Sequence, residues 1–244
     1  MLELIRTEFL KLRRKKMVWL LLATSPVMPA LAGLLFWYRG DTNVHPAEFY
    51  RWSAFGATLF VILPLVLGVF STVLMYNEYR DGTLNQLWIV PVSRIGYFFS
   101  KFFMMLVYSA CYMLVTAISS AILSVLPGYV VFGWGTMWFL FGKCFEIGIL
   151  TAFSVMPILA VASASKGYIL PFCAALVYAF AGFFLMTENM YVHPICSTAA
   201  MVMDGGDIPG VTFSQPFHIV PAILCIAVWG LVSAVFANAA LKRR

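Results

Sequence analysis

Residues 55–94 read FGATLFVILPLVLGVFSTVLMYNEYRDGTLNQLWIVPVSR. The first part is a continuous apolar run that carries no charge until Glu78. Glu78, Arg80 and Asp81 then mark an exit into water. Gly82 can end a helix and Thr83 can cap the next one. Leu84, Leu87, Trp88 and Ile89 give a short helical turn with one apolar face. Pro91 ends it, Ser93-Arg94 follows, and Lys101 opens a second long apolar run. Two membrane helices joined by a short amphipathic helix is the arrangement this pattern describes. Such a connection can present an apolar knob to a groove on a partner protein, or rest on lipid as an interfacial turn.

The rest of the chain supports a membrane reading. Its 244 residues are 62% hydrophobic and 11% charged, with mean hydropathy +0.91. A soluble domain carries roughly a quarter charged residues, so an all-soluble fold would leave apolar surface uncovered. A membrane helix needs about 20 mostly apolar residues to cross a core of about 30 Å. Segments near 17–38, 53–76, 102–126, 136–161, 168–187 and 217–241 meet that requirement. Unpaired backbone cannot face lipid, so the spans are helices. The expected fold is an all-α integral membrane protein with six transmembrane helices.

Charge placement sets the expected orientation. With the N-terminus inside, the inner segments hold Arg6, Lys11, Arg13, Arg14, Lys15, Lys16, Arg80, Arg94, Lys101, Lys166, Lys242, Arg243 and Arg244. Both termini are therefore expected in the cytoplasm. The net charge of +6 serves this asymmetry, and no nucleic-acid partner is expected. In residues 1–16, Leu2, Ile5, Phe9 and Leu12 recur at helical spacing. They predict a basic amphipathic helix lying in the inner interface, where a plain basic flank is the simpler alternative. Residues 17–244 then form the transmembrane domain. A cleaved leader ending at Ala30-Leu31-Ala32 is disfavoured, because the charged start contains Glu3 and Glu8 and the apolar run continues to Tyr38.

Within the spans, Pro26, Pro29 and Pro64 predict kinks, which serve either packing or movement. Lys143 and Glu146 lie three residues apart, on one helix face, where they can pair. Charge at that depth is costly, so the pair either fixes helix packing or marks a polar point on a substrate route. Residues 188–216 form a long outer region rich in turns, whose apolar head, 191–203, can dip into the outer leaflet. His193 and His45 are expected on the outside with no ligand spacing between them, and no metal site is expected. Five cysteines without a paired motif read as small packing residues. No phosphate loop, HExxH or GxSxG occurs, so energy for any transport would come from another polypeptide.

The order Glu78-Tyr-Arg-Asp-Gly82-Thr83-Leu84, then Pro91-Val-Ser-Arg94, then Lys101 resembles the first cytoplasmic loop of ABC-2-type transporter permeases. The opening Leu4-Ile-Arg-Thr-Glu8-Phe-Leu-Lys11-Leu-Arg-Arg14 is similar to that family's elbow helix. The resemblance implies a half-transporter in a bacterial plasma membrane: two permeases, identical or related, with two ATP-binding cassette subunits that hold ATP and Mg. It implies that loop 77–101 couples to the ATPase through Glu78, Arg80, Thr83, Leu84, Leu87, Trp88 and Arg94. This chain would bind no cofactor and catalyse nothing itself. Compact size, a short first outer loop and the Glu8-x-x-Lys11-x-Arg13 elbow resemble the branch that protects against bacitracin- and lantibiotic-type peptides. Other cargo, or a non-transporting sensor or assembly subunit, are the competing readings.

Overall fold

The computed structural model describes residues 2–13, 15–82, 93–186, 188–203 and 218–242. Every regular element among them is a helix. The chain opens with α1 (Leu2–Arg13) and then α2 (Lys16–Leu22) and α3 (Val27–Arg39). α4 (Pro46–Tyr50) leads through two π-helical turns, Arg51–Phe55 and Thr58–Ile62, into α5 (Leu63–Arg80). After the connection come α6 (Arg94–Val125), α7 (Trp134–Ser154), α8 (Met156–Ala164), α9 (Ile169–Leu185), α10 (Pro194–Met203) and α11 (Ile219–Lys242).

Among the described residues, five stretches are long and apolar enough to cross a membrane: Lys16–Arg39, Pro46–Arg80, Arg94–Val125, Trp134–Ala164 and Ile219–Lys242. The sixth expected span, 168–187, is the shorter helix α9 of 17 residues, about 25 Å at 1.5 Å per residue. Polar Glu188 and Asn189 follow it, and their N–H groups close a last turn on the Leu185 carbonyl.

The breaks have local causes. Pro26 has no N–H to continue the first span, and Thr24 folds its hydroxyl onto the Leu21 carbonyl at 2.7 Å. α6 satisfies exposed carbonyls there: Tyr108 donates to Val18 O at 3.1 Å and Thr116 to Ser25 O at 3.4 Å. Neighbouring helices thus supply the partners that lipid cannot. In the second span, Gly56 separates the π turns, and a Cβ there would meet Arg51 O at 2.7 Å. Pro64 sits in the first turn of α5, directly after the second π turn.

The region expected outside the membrane contains a buried helix. α10 packs among α7, α9 and α11, with Cys196, Ser197, Ala199 and Ala200 at zero exposure. Ser154 near the end of α7 bonds to Pro194 O and to the Thr198 hydroxyl. Lys143, earlier on α7, donates to Val202 O at 3.0 Å. α10 therefore runs alongside α7 in the opposite sense, deep in the bundle. His193, expected on the outside, is 6% exposed and its ring lies 4.2 Å from that of Tyr178. Pro194–Met203 is apolar enough to be buried, and packing against α7, α9 and α11 buries it within the protein.

Candidate functional site

Glycine and serine punctuate the two roots of the connection. α5 ends where Gly82 adopts φ +66, a left-handed turn that side chains disfavour. α6 begins where the Ser93 side chain accepts the Gly96 N–H at 3.1 Å. Just inside these ends, α1, α5 and α6 bring together Glu8, Lys11, Glu78, Tyr97 and Lys101.

Lys101 is the centre of this cluster. It is 0% exposed, and its Nζ lies 2.5 Å from both Glu8 Oε2 and Glu78 Oε1. Lys11 Nζ bridges the same two carboxylates at 3.0 and 3.2 Å. Tyr97 donates its hydroxyl to the second oxygen of Glu78, and its ring lies 5.2 Å from Lys101 Nζ, within cation–π range. Burial would lower the Lys11 pKa, but Glu78 and Glu8 outweigh it and raise it above the usual lysine value. Two carboxylates and two ammonium groups cancel, which is how buried charge becomes tolerable. The cluster clamps α1 to the end of α5 and the start of α6, the two roots of the connection.

The other residues singled out in the sequence are distributed as follows. Glu78 is buried within the clamp. Arg80 is on the surface, 3.1 Å from Asp81, and Arg94 is half-buried at the first turn of α6. Thr83, Leu84, Leu87 and Trp88 lie outside the described residues. Lys143 and Glu146 sit 3.1 Å apart on α7, away from the clamp, with Lys143 also holding the last turn of α10. Sequence reasoning did not single out Glu8, Lys11, Tyr97 or Lys101 as site residues. Glu8 and Lys11 carried a signal, the i,i+3 pair on a helix next to a membrane. Tyr97 carried none. Among the described residues, no group of three or more His, Cys, Asp or Glu side chains could hold a metal ion.

Residues 4–182 match the family model described as ABC-2 family transporter protein. The chain belongs to the ABC-2 transporter family. It is thus a multi-pass membrane permease subunit of an ABC transporter, from a family that works with ATP-binding cassette subunits. The matched part of this ABC-2 protein includes the whole clamp and both roots of the connection. α10 and α11 lie beyond it. Comparison with curated proteins finds no match.

Proposed function

We propose that this permease pairs with a second permease, identical or related, and with two ATP-binding cassette subunits, and expels a peptide antibiotic from a bacterial plasma membrane. α1 is the interfacial elbow helix. The α9 segment completes six crossings, and both termini face the cytoplasm. By the family likeness, residues 83–90 dock on the ATPase: Thr83 begins the docking segment, and Leu84, Leu87 and Trp88 supply its apolar contact. Glu78, Arg80 and Arg94 hold its roots. ATP and Mg stay on the partner, and this chain catalyses no reaction.

The observation that carries the coupling half of this reading is the buried Glu8–Lys101–Glu78 bridge. A connection that hung loosely between two spans would dissipate an ATP-driven push. One whose roots are bonded to each other and to α1 delivers it to the bundle as one movement. The peptide cargo rests on the likeness of the elbow and the short outer loop to peptide-protection permeases.

The test is affinity purification of the tagged chain from its native host in mild detergent, with mass spectrometry of co-purifying proteins. A stoichiometric ATP-binding subunit is the expected result. Its absence, under conditions that preserve other ABC transporters, overturns the coupling assignment. For the cargo, deletion of the gene should sensitise the host to membrane-active peptide antibiotics. Unchanged sensitivity across that class refutes it.

A further inference from the structure

The break between α2 and α3 leaves one side of the first span unserved. On the side facing α6, Tyr108 and Thr116 donate to the Val18 and Ser25 carbonyls, and the Tyr112 and Thr24 hydroxyls lie 3.2 Å apart. On the other side the backbone ladder skips. Thr24 N–H turns to Leu21 O and Val27 N–H to Thr24 O, both at 3.1 Å, and Pro26 has no N–H to give. Among the described residues, the Leu20 and Ala23 carbonyls therefore meet no donor. Both residues face away from the bundle: Leu20 is 62% exposed and Ala23 is exposed. Ala23 follows the seven residues of α2, about 10 Å beyond its start at 1.5 Å per residue. It lies inside a hydrocarbon core about 30 Å thick.

Lipid tails do not suit this side. They hold no donor for an open carbonyl, and irregular backbone at membrane depth persists only within protein or against water. A second copy meeting the same face would bring the exposed side chains of Leu20, Ala23, Val27 and Leu31, which carry no donor either. Water supplies donors to both carbonyls. We infer that the open side of the break lines a water-filled cavity within the membrane, where the Leu20 and Ala23 carbonyls accept hydrogen bonds from a molecule that carries N–H or ammonium groups on an apolar body. Val27, Leu31 and Leu34 continue the exposed face beyond the break and meet the apolar body. α11 makes a useful contrast. It exposes Val228, Leu231, Val232 and Val235, but it is one unbroken helix over Ile219–Lys242, so lipid suffices there. The donor-bearing molecule rests on the transport reading, whereas the water rests on the backbone alone.

The test is thiol labelling of the full chain in membrane vesicles from its native host, with a water-soluble, membrane-impermeant reagent. Such a reagent needs an ionised thiol in contact with water. The parent chain carries Cys111→Ser and Cys173→Ser, which remove the exposed native thiols. Ala23→Cys and Val27→Cys should label at least about tenfold faster than Leu231→Cys and Val235→Cys on α11. Sublytic dodecylamine, an ammonium on an apolar chain, should slow labelling of Ala23→Cys about threefold, the worth of a modest net hydrogen bond. Methyl dodecanoate, which has no donor, should not. Labelling at both break positions no faster than on α11 places lipid there and overturns the inference. Oxidative cross-linking of Ala23→Cys to a second copy, without labelling, also overturns it. Equal protection by the two amphiphiles overturns the carbonyl contact. The peptide reading fails separately: a host with unchanged antibiotic sensitivity but fast labelling at Ala23→Cys would lose that cargo and keep the cavity.

Discussion

Lys101→Met should release α1 from the bundle, and returning neutrality should bring it back. The substitution keeps most of the side-chain volume and removes the ammonium. Each 2.5 Å contact of Lys101 with Glu8 and Glu78 is worth about 7 kcal/mol of gross attraction at an effective dielectric of about 20. Desolvating the ions returns several kcal/mol of that apiece. The net charge of the cluster changes from zero to −1, and Lys11 alone must then hold both carboxylates. Breaking a buried pair in this way costs about 3–5 kcal/mol. Lys101→Met with Glu78→Gln leaves only the Glu8–Lys11 pair, which is neutral, and Tyr97 can still donate to the amide oxygen. The double variant should therefore recover stability relative to Lys101→Met, with a coupling energy of about 1–3 kcal/mol. The assay is the fraction of detergent-solubilised chain that stays monodisperse after heating, read across wild type, both single variants and the double. ATP-driven transport by the assembled complex should follow the same order. If Lys101→Met survives heating as well as wild type, or if the losses simply add, the clamp does not hold α1.

Leu87→Asp or Trp88→Asp should abolish co-purification of the ATPase and ATP-driven transport while leaving heat tolerance unchanged. Full activity in both would remove the docking role of 83–90. Glu146→Gln should lower expression or activity, and adding Lys143→Met should restore only part, because the Lys143 bond to Val202 O is lost as well; that charge-assisted bond is worth about 1.5–3 kcal/mol. Complete restoration in the double would show that the helix-end contact contributes nothing. Gly68→Ala should destabilise by about 1–3 kcal/mol through overpacking, since its new methyl would lie 2.4 Å from Ala175 Cβ. Ala175→Gly in the same chain should relieve it, and a thermal shift that ignores the second substitution would refute the close α5–α9 approach.

The sequence by itself determined the membrane class, the approximate place of most crossings and the family. Long uncharged runs leave a chain few alternatives to membrane helices, and hydrophobicity is a local property that can be counted along the chain. The Glu78–Gly82–Thr83–Leu84 and Pro91–Arg94 order is local too, which is why it could be recognised without a fold. Even the pairing of Lys143 with Glu146 needed only the helical repeat. What the tertiary structure decided are matters of distance between remote segments. Glu8 and Lys101 are separated by 93 positions, and nothing in either neighbourhood names the other. Composition placed Glu78 at an exit into water, but packing of α1 over α5 and α6 buries it. Likewise, 191–203 reads as a moderately apolar stretch that can dip into the outer leaflet, and its packing as α10 depends on Ser154 and Lys143 presenting partners from α7. By contrast, α9 ends at Leu185, two residues before the polar Thr187-Glu188-Asn189, so this boundary too was legible in the local sequence. Local patterns fix what each segment can be. Where it goes depends on which charges and carbonyls find partners, and that is settled only when the helices meet.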